Sequence, residues 1–500
     1  MDNSSDGSMK SESQEMGGTK VERTRIVIVG AGIAGLAAAK ALEDHQFHEY
    51  ILLEAQDYVG GRIKSIYWND NWIEEGAQFL HGSESELAKF CTNHNLISEE
   101  ESAEGKGIYV RNDGMQLDKN LIQEIDYLIR DILDDCEIYT HYNEARHEEI
   151  PKSIGSHLKL EIDRHIWSKG DRSNRNLKQN IIDWNYKFLI IDNSCSKLEE
   201  LSAKHWGQFR AAGGPEHLIF KQGYSSAVEL ISNSLKKANL RLNSPVKKIK
   251  WDEKTSTDSA PVVLNLEDRK ILADCVIVTC SLGFLKEHHE EMFEPSLPPN
   301  LVLAIESLGF GLINKVFLDF GEAWWKPGVQ GFQLIWHEDN KASTTDAELA
   351  AWTRDLTGFD VLENHEAVLI GWVGGKGAKL IESLTEEEVG NDCIDLLRVF
   401  LKRETLPAPK RCKRSQWGKN KWVRGSYSHI STTCDETAVT PKSLASPAWR
   451  EIHRKGKLKN VPAIMFAGEA THECFYSTTH GAFDSGRSQA LNFLRHHVWE

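Results

Sequence analysis

The chain lacks any apolar run long enough to cross a membrane, which takes about 20 residues, so no membrane partner is expected. It has little cysteine. Cys91, Cys136, Cys195, Cys275, Cys280, Cys393, Cys412, Cys434 and Cys474 are scattered, odd in number and free of any C-x-x-C spacing. That argues against a disulfide framework and a zinc site, and favours a reducing compartment. No metal is expected on that cysteine pattern, and the C-terminal His-Val-Trp-Glu carries no peroxisomal or membrane-retention address, so a cytoplasmic location is expected. Basic charge is short: 59 Lys and Arg against 74 Asp and Glu give a net −15. Such a balance disfavours nucleic acid and would steer a cation inward. Residues 1–23 have no apolar core and no periodicity, which excludes a secretory signal and predicts a disordered tail. No internal repeat is present.

What is present begins at Arg25. Ile26-Val27-Ile28-Val29 is an unbroken β-branched run, suited to a strand buried on both faces of a parallel sheet. Gly30-Ala31-Gly32-Ile33-Ala34-Gly35 follows as G-x-G-x-x-G, then an Ala-rich helix from Leu36. A second apolar run, Tyr50 to Ala55, contains Glu54, 24 residues after Gly30, where a dinucleotide fold places the acid that takes the ribose hydroxyls. Gly30 permits the tight turn, Gly32 lets a pyrophosphate approach the backbone, and Gly35 lets the helix lie close to the strand. The helix N-terminus, from Ile33 and Ala34, offers N–H groups to phosphate.

Gly60-Gly61-Arg62 lies just past the second strand, and Arg62 is a charged fork suited to phosphate. The string Glu54-Ala55-x-x-x-x-Gly-Gly-Arg resembles the signature of the flavin amine oxidase superfamily. Gly76-Ala77-Gln78-Phe79-Leu80-His81-Gly82 resembles the G-A-x-W-I-H-G segment of animal polyamine oxidases, with Phe79 in place of the tryptophan. The resemblance implies that Gly76, Ala77, Gln78 and Phe79 run past the flavin, and that Phe79 and His81 meet substrate. In the same family an N-x-x-V valine meets the adenine through its backbone; Val246 matches it.

Asn314-Lys315-Val316-Phe317-Leu318-Asp319-Phe320 alternates as a strand and is similar to the segment carrying the family lysine that holds water against flavin N5. A cation at Lys315 would favour negative charge on the reduced flavin. Trp417-Gly418-x-Asn420 with Gly425-Ser426-Tyr427-Ser428 resembles the aromatic stretch beside the flavin and the amine channel, which implies Trp417 and Tyr427 as walls. Ser426 and Tyr427 stand near where monoamine oxidases carry a flavin-linked cysteine, so non-covalent FAD is implied. Near the C-terminus, Phe466-Ala467-Gly468-Glu469-Ala470-Thr471-His472 and Tyr476-Ser477-Thr478-Thr479-His480-Gly481-Ala482 resemble the family's closing FAD signature. The match implies Glu469 at the ribityl chain, the Thr478–Thr479 backbone at the isoalloxazine, and Ser477 and Thr478 side chains toward substrate.

The expected architecture is α/β: a discontinuous Rossmann-like FAD-binding domain (24–85, 222–300, 411–500) with an inserted α+β substrate domain of mixed sheet and helices (86–221, 301–410). The resemblance implies oxidation of a secondary amine in a small cationic polyamine, spermine or an N1-acetylated form. Hydride passes to flavin N5, the imine hydrolyses to amine and aldehyde, and O2 is reduced to hydrogen peroxide. Lys315 and His81 are the catalytic candidates, the latter tuning substrate protonation. Spermine oxidases carry an acid near the position of Arg210-Ala211, and Glu216 could supply that carboxylate, although exposure is the simpler reading for it. A lysine demethylase, an amino-acid oxidase and an inactive FAD-binding scaffold are the rival readings.

Overall fold

In a computed structural model, the chain is described over residues 14–499, apart from 17–18, 69, 103, 143–149, 168–173, 253–261, 338–348, 366 and 455. A six-stranded sheet has the order Leu240–Arg241, Tyr50–Leu53, Ile26–Val29, Cys275–Val278, Lys457–Phe466, Ala448–Arg454. Every neighbouring pair in it is parallel except the final hairpin. Ile26–Val29 and Cys275–Val278 are buried at every position, as two-sided coverage of a parallel sheet requires. Helix Ile33–Asp44 packs on Thr479–Phe493, where a side chain on Gly486 would strike the Ala34 carbonyl at 1.9 Å. The first and last segments of the chain are thereby locked together.

A second sheet runs Gln14–Met16, Thr19–Arg23, Arg269–Ala273, Val262–Asn265, Lys248–Lys250, Phe293–Glu294. This corrects the expected tail over 1–23. Thr19–Arg23 lies parallel to Arg269–Leu272, and Glu22 takes a two-pronged bond from Arg241 at 2.6 and 2.5 Å. An alternation too short to register as a strand gains its hydrogen bonds from a distant partner. Residues 1–13 lie outside the described residues.

The third sheet has the order Arg411–Arg414, Asn314–Asp319, Val368–Val373, Leu356–Val361, Gly331–Ile335, Ile108–Arg111. Its edge strand Arg411–Arg414 pairs with Val316–Asp319, so the expected boundary at 411 cuts through this sheet. Helix Lys119–Tyr142 buries Ile122, Ile125, Ile129, Ile132 and Cys136, a three-and-four spacing that closes a separate helical core. Helix Ser225–Ser234 ends where Leu235 turns extended, and the chain goes on to the edge strand Leu240–Arg241.

Truncation through Arg23 removes a paired strand and the Glu22–Arg241 ion pair. We expect it to lower the melting temperature by several degrees in a calorimetric scan, whereas Glu22→Gln lowers it by less.

Candidate active site

One cavity of about 770 Å³ joins the carboxyl ends of the first sheet to the face of the third. At its nucleotide end, Gly30 sits at φ +105°, and a Cβ there would press the Thr279 hydroxyl at 2.6 Å. A Cβ on Gly35 would lie 1.9 Å from the Gly30 carbonyl oxygen, so the helix touches the turn through that glycine. Gly32 differs: its Cβ direction meets nothing closer than 3.9 Å, and no side chain caps the helix it begins. The open direction and the uncapped N–H groups leave room and donors for a phosphate. Gly30, Gly32, Ile33, Ala34, Glu54 and Arg62 all line this end, while Gly35 stands behind it.

The Glu54 carboxylate accepts from Ala31 N at 2.7 Å and Gln56 N at 2.9 Å, which fixes it at the strand end. Arg62 bonds Glu469 at 2.8 Å and the Ser426 carbonyl at 2.7 Å. Its charge is therefore matched inside the wall by a buried carboxylate that also accepts from the Ser428 hydroxyl at 2.5 Å and from Ser477 N at 3.1 Å. Val246 is absent from the wall; its side chain joins the core beneath, and Ser244 faces the cavity there.

Beyond Arg62 the wall is built of Gly76, Ala77, Gln78, Phe79, Trp417, Tyr427, Thr478 and Thr479. A side chain on Gly76 would strike the Arg62 carbonyl at 1.8 Å, so only glycine closes that corner. Trp417 is pinned by its indole N–H to the Glu75 carbonyl at 2.8 Å. Tyr427 donates its hydroxyl to Ile191 O at 2.6 Å, leaving its ring to the cavity.

Two expectations change here. Thr478 is the N-cap of helix Thr479–Phe493: its hydroxyl accepts from Gly481 N at 3.0 Å and donates to Phe475 O at 2.7 Å. The Ser477 hydroxyl is held by the Ser428 carbonyl. Both hydroxyls, implied to face substrate, are committed to the protein by the demands of helix capping and of the turn. Thr479 bonds the Tyr224 hydroxyl.

Lys315 lies in a strand buried at every position and is itself 3 % exposed. Its Nζ donates to Glu74 O at 2.8 Å and Gln78 Oε1 at 2.7 Å and stands 4.5 Å above the Trp372 ring. Burial pulls its pKa down from the lysine range, opposed by Glu74, Glu104 and Glu75. An ammonium has three donors, so one remains for the cavity. His81 bonds the Glu216 carbonyl through Nδ1 at 3.1 Å, so that nitrogen carries the proton and Nε2 is left as a base. Burial and His217 lower the His81 pKa. Phe79 stacks tilted on His217 at 4.5 Å, and Glu216 is exposed at this mouth.

The same cavity is lined by acids that the motifs do not mark, among them Glu104, Asp192 and Asp360. Asp360 is buried and accepts from Gly105 N at 3.1 Å and Gln333 Nε2 at 2.8 Å. Asp192 and Glu104 are reached by solvent through the cavity, yet protein surrounds them. Burial raises their carboxyls to about 6 and about 8, and Asp360 to about 7. Asp360 had a signal in sequence, an acid inside the apolar strand Leu356–Val361. Glu104 closes a run of surface acids and Asp192 ends a helix, so neither stands out.

A turn open to phosphate, a cavity walled by aromatic rings and a buried lysine on one wall are what a flavoprotein oxidase requires. Residues 33–492 match the family described as flavin containing amine oxidoreductase, and the chain belongs to it. It is thus an FAD-dependent amine oxidase, and the open Gly32 cradle with its free donors fits FAD. The chain is 31 % identical to the bovine peroxisomal N(1)-acetyl-spermine/spermidine oxidase, across 95 % of each. It is 31 % identical to the human protein of that description across 94 % of each. A Drosophila melanogaster protein described as a possible lysine-specific histone demethylase 1 is 29 % identical over 62 % of this chain and 34 % of its own length. Among solved structures, wild-type putrescine oxidase bound to putrescine superposes with a TM-score of 0.69 over 95 % of this chain and 100 % of that one, at 18 % identity. That likeness is one of fold.

Two glycines three residues apart should fail differently. Gly32→Val keeps the melting temperature of the FAD-free protein but lowers FAD per chain on purification, read from the flavin absorbance. Gly35→Ala drives a Cβ into backbone and destabilises the protein itself, by roughly 1–3 kcal/mol or more.

Proposed function

We propose that the chain oxidises a polyamine at a secondary amine, with O2 as the final acceptor and hydrogen peroxide as a product. The observation that carries this reading is the acid set Glu104, Asp192 and Asp360 in the same cavity as Lys315. Carboxyls raised by burial are poised to ionise against an ammonium, and one cavity that offers several of them suits a ligand with several positive nitrogens. The names of the bovine and human relatives support the same class.

Bound FAD supplies the two-electron acceptor, taking a hydride equivalent from the carbon beside the nitrogen. The protein's part is to hold that nitrogen neutral and in place. His81, neutral and with Nε2 free, accepts the proton that the reacting ammonium must lose. Phe79, Trp417 and Tyr427 give apolar walls for the methylene chain. The acids keep the neighbouring nitrogens charged and so fix the register of the chain. Lys315 directs its third N–H into the cavity, where it orders water and favours negative charge arriving on the cofactor. Water then hydrolyses the released imine to an amine and an aldehyde.

Anaerobic mixing with spermine, N1-acetylspermine, spermidine and benzylamine should bleach the flavin rapidly with one or more of the polyamines and slowly or not at all with the monoamine. Bleaching by benzylamine alone would overturn the substrate class. Lys315→Met should keep FAD but slow flavin reduction or reoxidation at least about tenfold; wild-type rates in both half-reactions would remove its role.

A further inference from the structure

Lys315 needs a counter-charge, and its neighbours narrow the choice. The side chains that influence it from the surrounding elements are Gln78, Trp372 and the carboxylates Glu74, Glu75 and Glu104. Ser415 touches only its backbone. Glu75 is already paired, with Lys64 at 2.8 Å and Lys413 at 3.4 Å. Glu104 is pushed up to about 8 by burial and by Asp360 and Asp192, so at neutral pH it is mostly uncharged. Gln78 and Trp372 carry no charge.

Glu74 remains. Its carboxylate is buried and accepts two neutral donors, the Ser65 hydroxyl at 2.7 Å and Tyr224 N at 2.8 Å. No ion pair to it is found among the described residues. Its own backbone carbonyl accepts from the Lys315 Nζ at 2.8 Å, so the ammonium is anchored to the residue that carries the carboxylate. Ser65 is held in turn by reciprocal bonds with Ser225, each backbone N giving to the other's hydroxyl at 2.9 Å. Tyr224 reaches the Thr479 hydroxyl at the start of the last helix. The carboxylate is therefore rigid, and its only cationic influence is Lys315.

We propose that Glu74 is the counter-ion of Lys315, a positioning residue whose buried negative charge keeps that lysine protonated beside the cofactor. Burial raises the Glu74 carboxyl and lowers the Lys315 ammonium, and each group opposes that shift in the other. Removing the carboxylate makes Lys315 easier to deprotonate; removing the lysine makes Glu74 easier to protonate. This inference rests on the amine-oxidase reading only for its kinetic arm.

The test is a double-mutant cycle on the holoenzyme with Glu74→Gln and Lys315→Met, each alone and combined. Glu74→Gln is isosteric: its one amide oxygen still accepts from Tyr224 N, and its NH2 faces the Ser65 hydroxyl, which can turn to accept from it. On the wild-type background it should lower the melting temperature by several degrees. On the Lys315→Met background the loss should fall to less than half of that. Equal losses on both backgrounds would show a local packing role and overturn the proposal. Insoluble Glu74→Gln rescued to solubility by Lys315→Met would support it; insolubility in both would overturn it.

In the kinetic arm, Glu74→Gln should move the pH limb of flavin reduction that Lys315→Met abolishes downward by at least about one unit. Glu74→Asp should restore part of the shift. An unmoved limb would contradict the counter-ion role. If no amine reduces the flavin, the function reading fails while the melting cycle still decides this one.

Discussion

A lysine at the entry of a fully buried strand is the constraint around which the site is arranged. Burying an unpaired ammonium is costly, and it is tolerated only with donors satisfied and opposite charge nearby. Lys315 obtains a carbonyl and an amide oxygen from the Glu74–Gln78 segment, a ring face from Trp372, and carboxylates at a distance. Those contacts pin the segment that ends in Phe79 and His81 against the third sheet. The same segment is pinned on its other side by Trp417, through the Glu75 carbonyl. The slot between the two sheets follows from how that one charge is housed.

The other fixed point is the Arg62–Glu469 pair, which ties a turn after the second strand to the end of a strand more than 400 residues later. Here the charge match is internal to the wall, so an arginine whose sequence context suggested phosphate serves the architecture as well. Glu469 is itself saturated by Ser428 and Ser477. The cavity thus has a stiff nucleotide end, a lysine wall at its centre and an acidic end where burial holds Glu104 and Asp360 close to neutrality. Ionisation there awaits a cation, which is how an acidic cavity can exist without tearing itself apart by repulsion.

The nucleotide half was legible because its physics is local. A β-branched run, glycines at fixed offsets and an acid at the next strand end are each demanded by a backbone that must turn tightly against a phosphate. Gly35 behaves as that logic requires, since a Cβ on it would lie 1.9 Å from the Gly30 carbonyl oxygen. Glu469 was legible for the same reason, at a strand's carboxyl end. The acidic end was hidden because its residues come from a loop, a helix terminus and a strand that share no spacing. Thr19–Arg23 was misread because its pairing partner lies some 250 residues away, and composition carries no record of that. Ser477 and Thr478 were placed by motif, and the Ser428 carbonyl and the helix cap claimed their hydroxyls instead. Val246 keeps its side chain in the core beneath the wall, and the contact expected of it is one of its backbone.

The central claim is that a polycation is held by carboxyls that burial has kept protonated. It is tested most directly by counting the protons released when spermine binds at pH 7, with a pH indicator in anaerobic stopped flow. Glu104 and Asp360, raised to about 8 and about 7 in the free site, must ionise against the ammonium groups, so binding releases protons. The account predicts release that falls by about one proton in Glu104→Gln. Release unchanged by Glu104→Gln and Asp360→Asn, or proton uptake on binding, would contradict it.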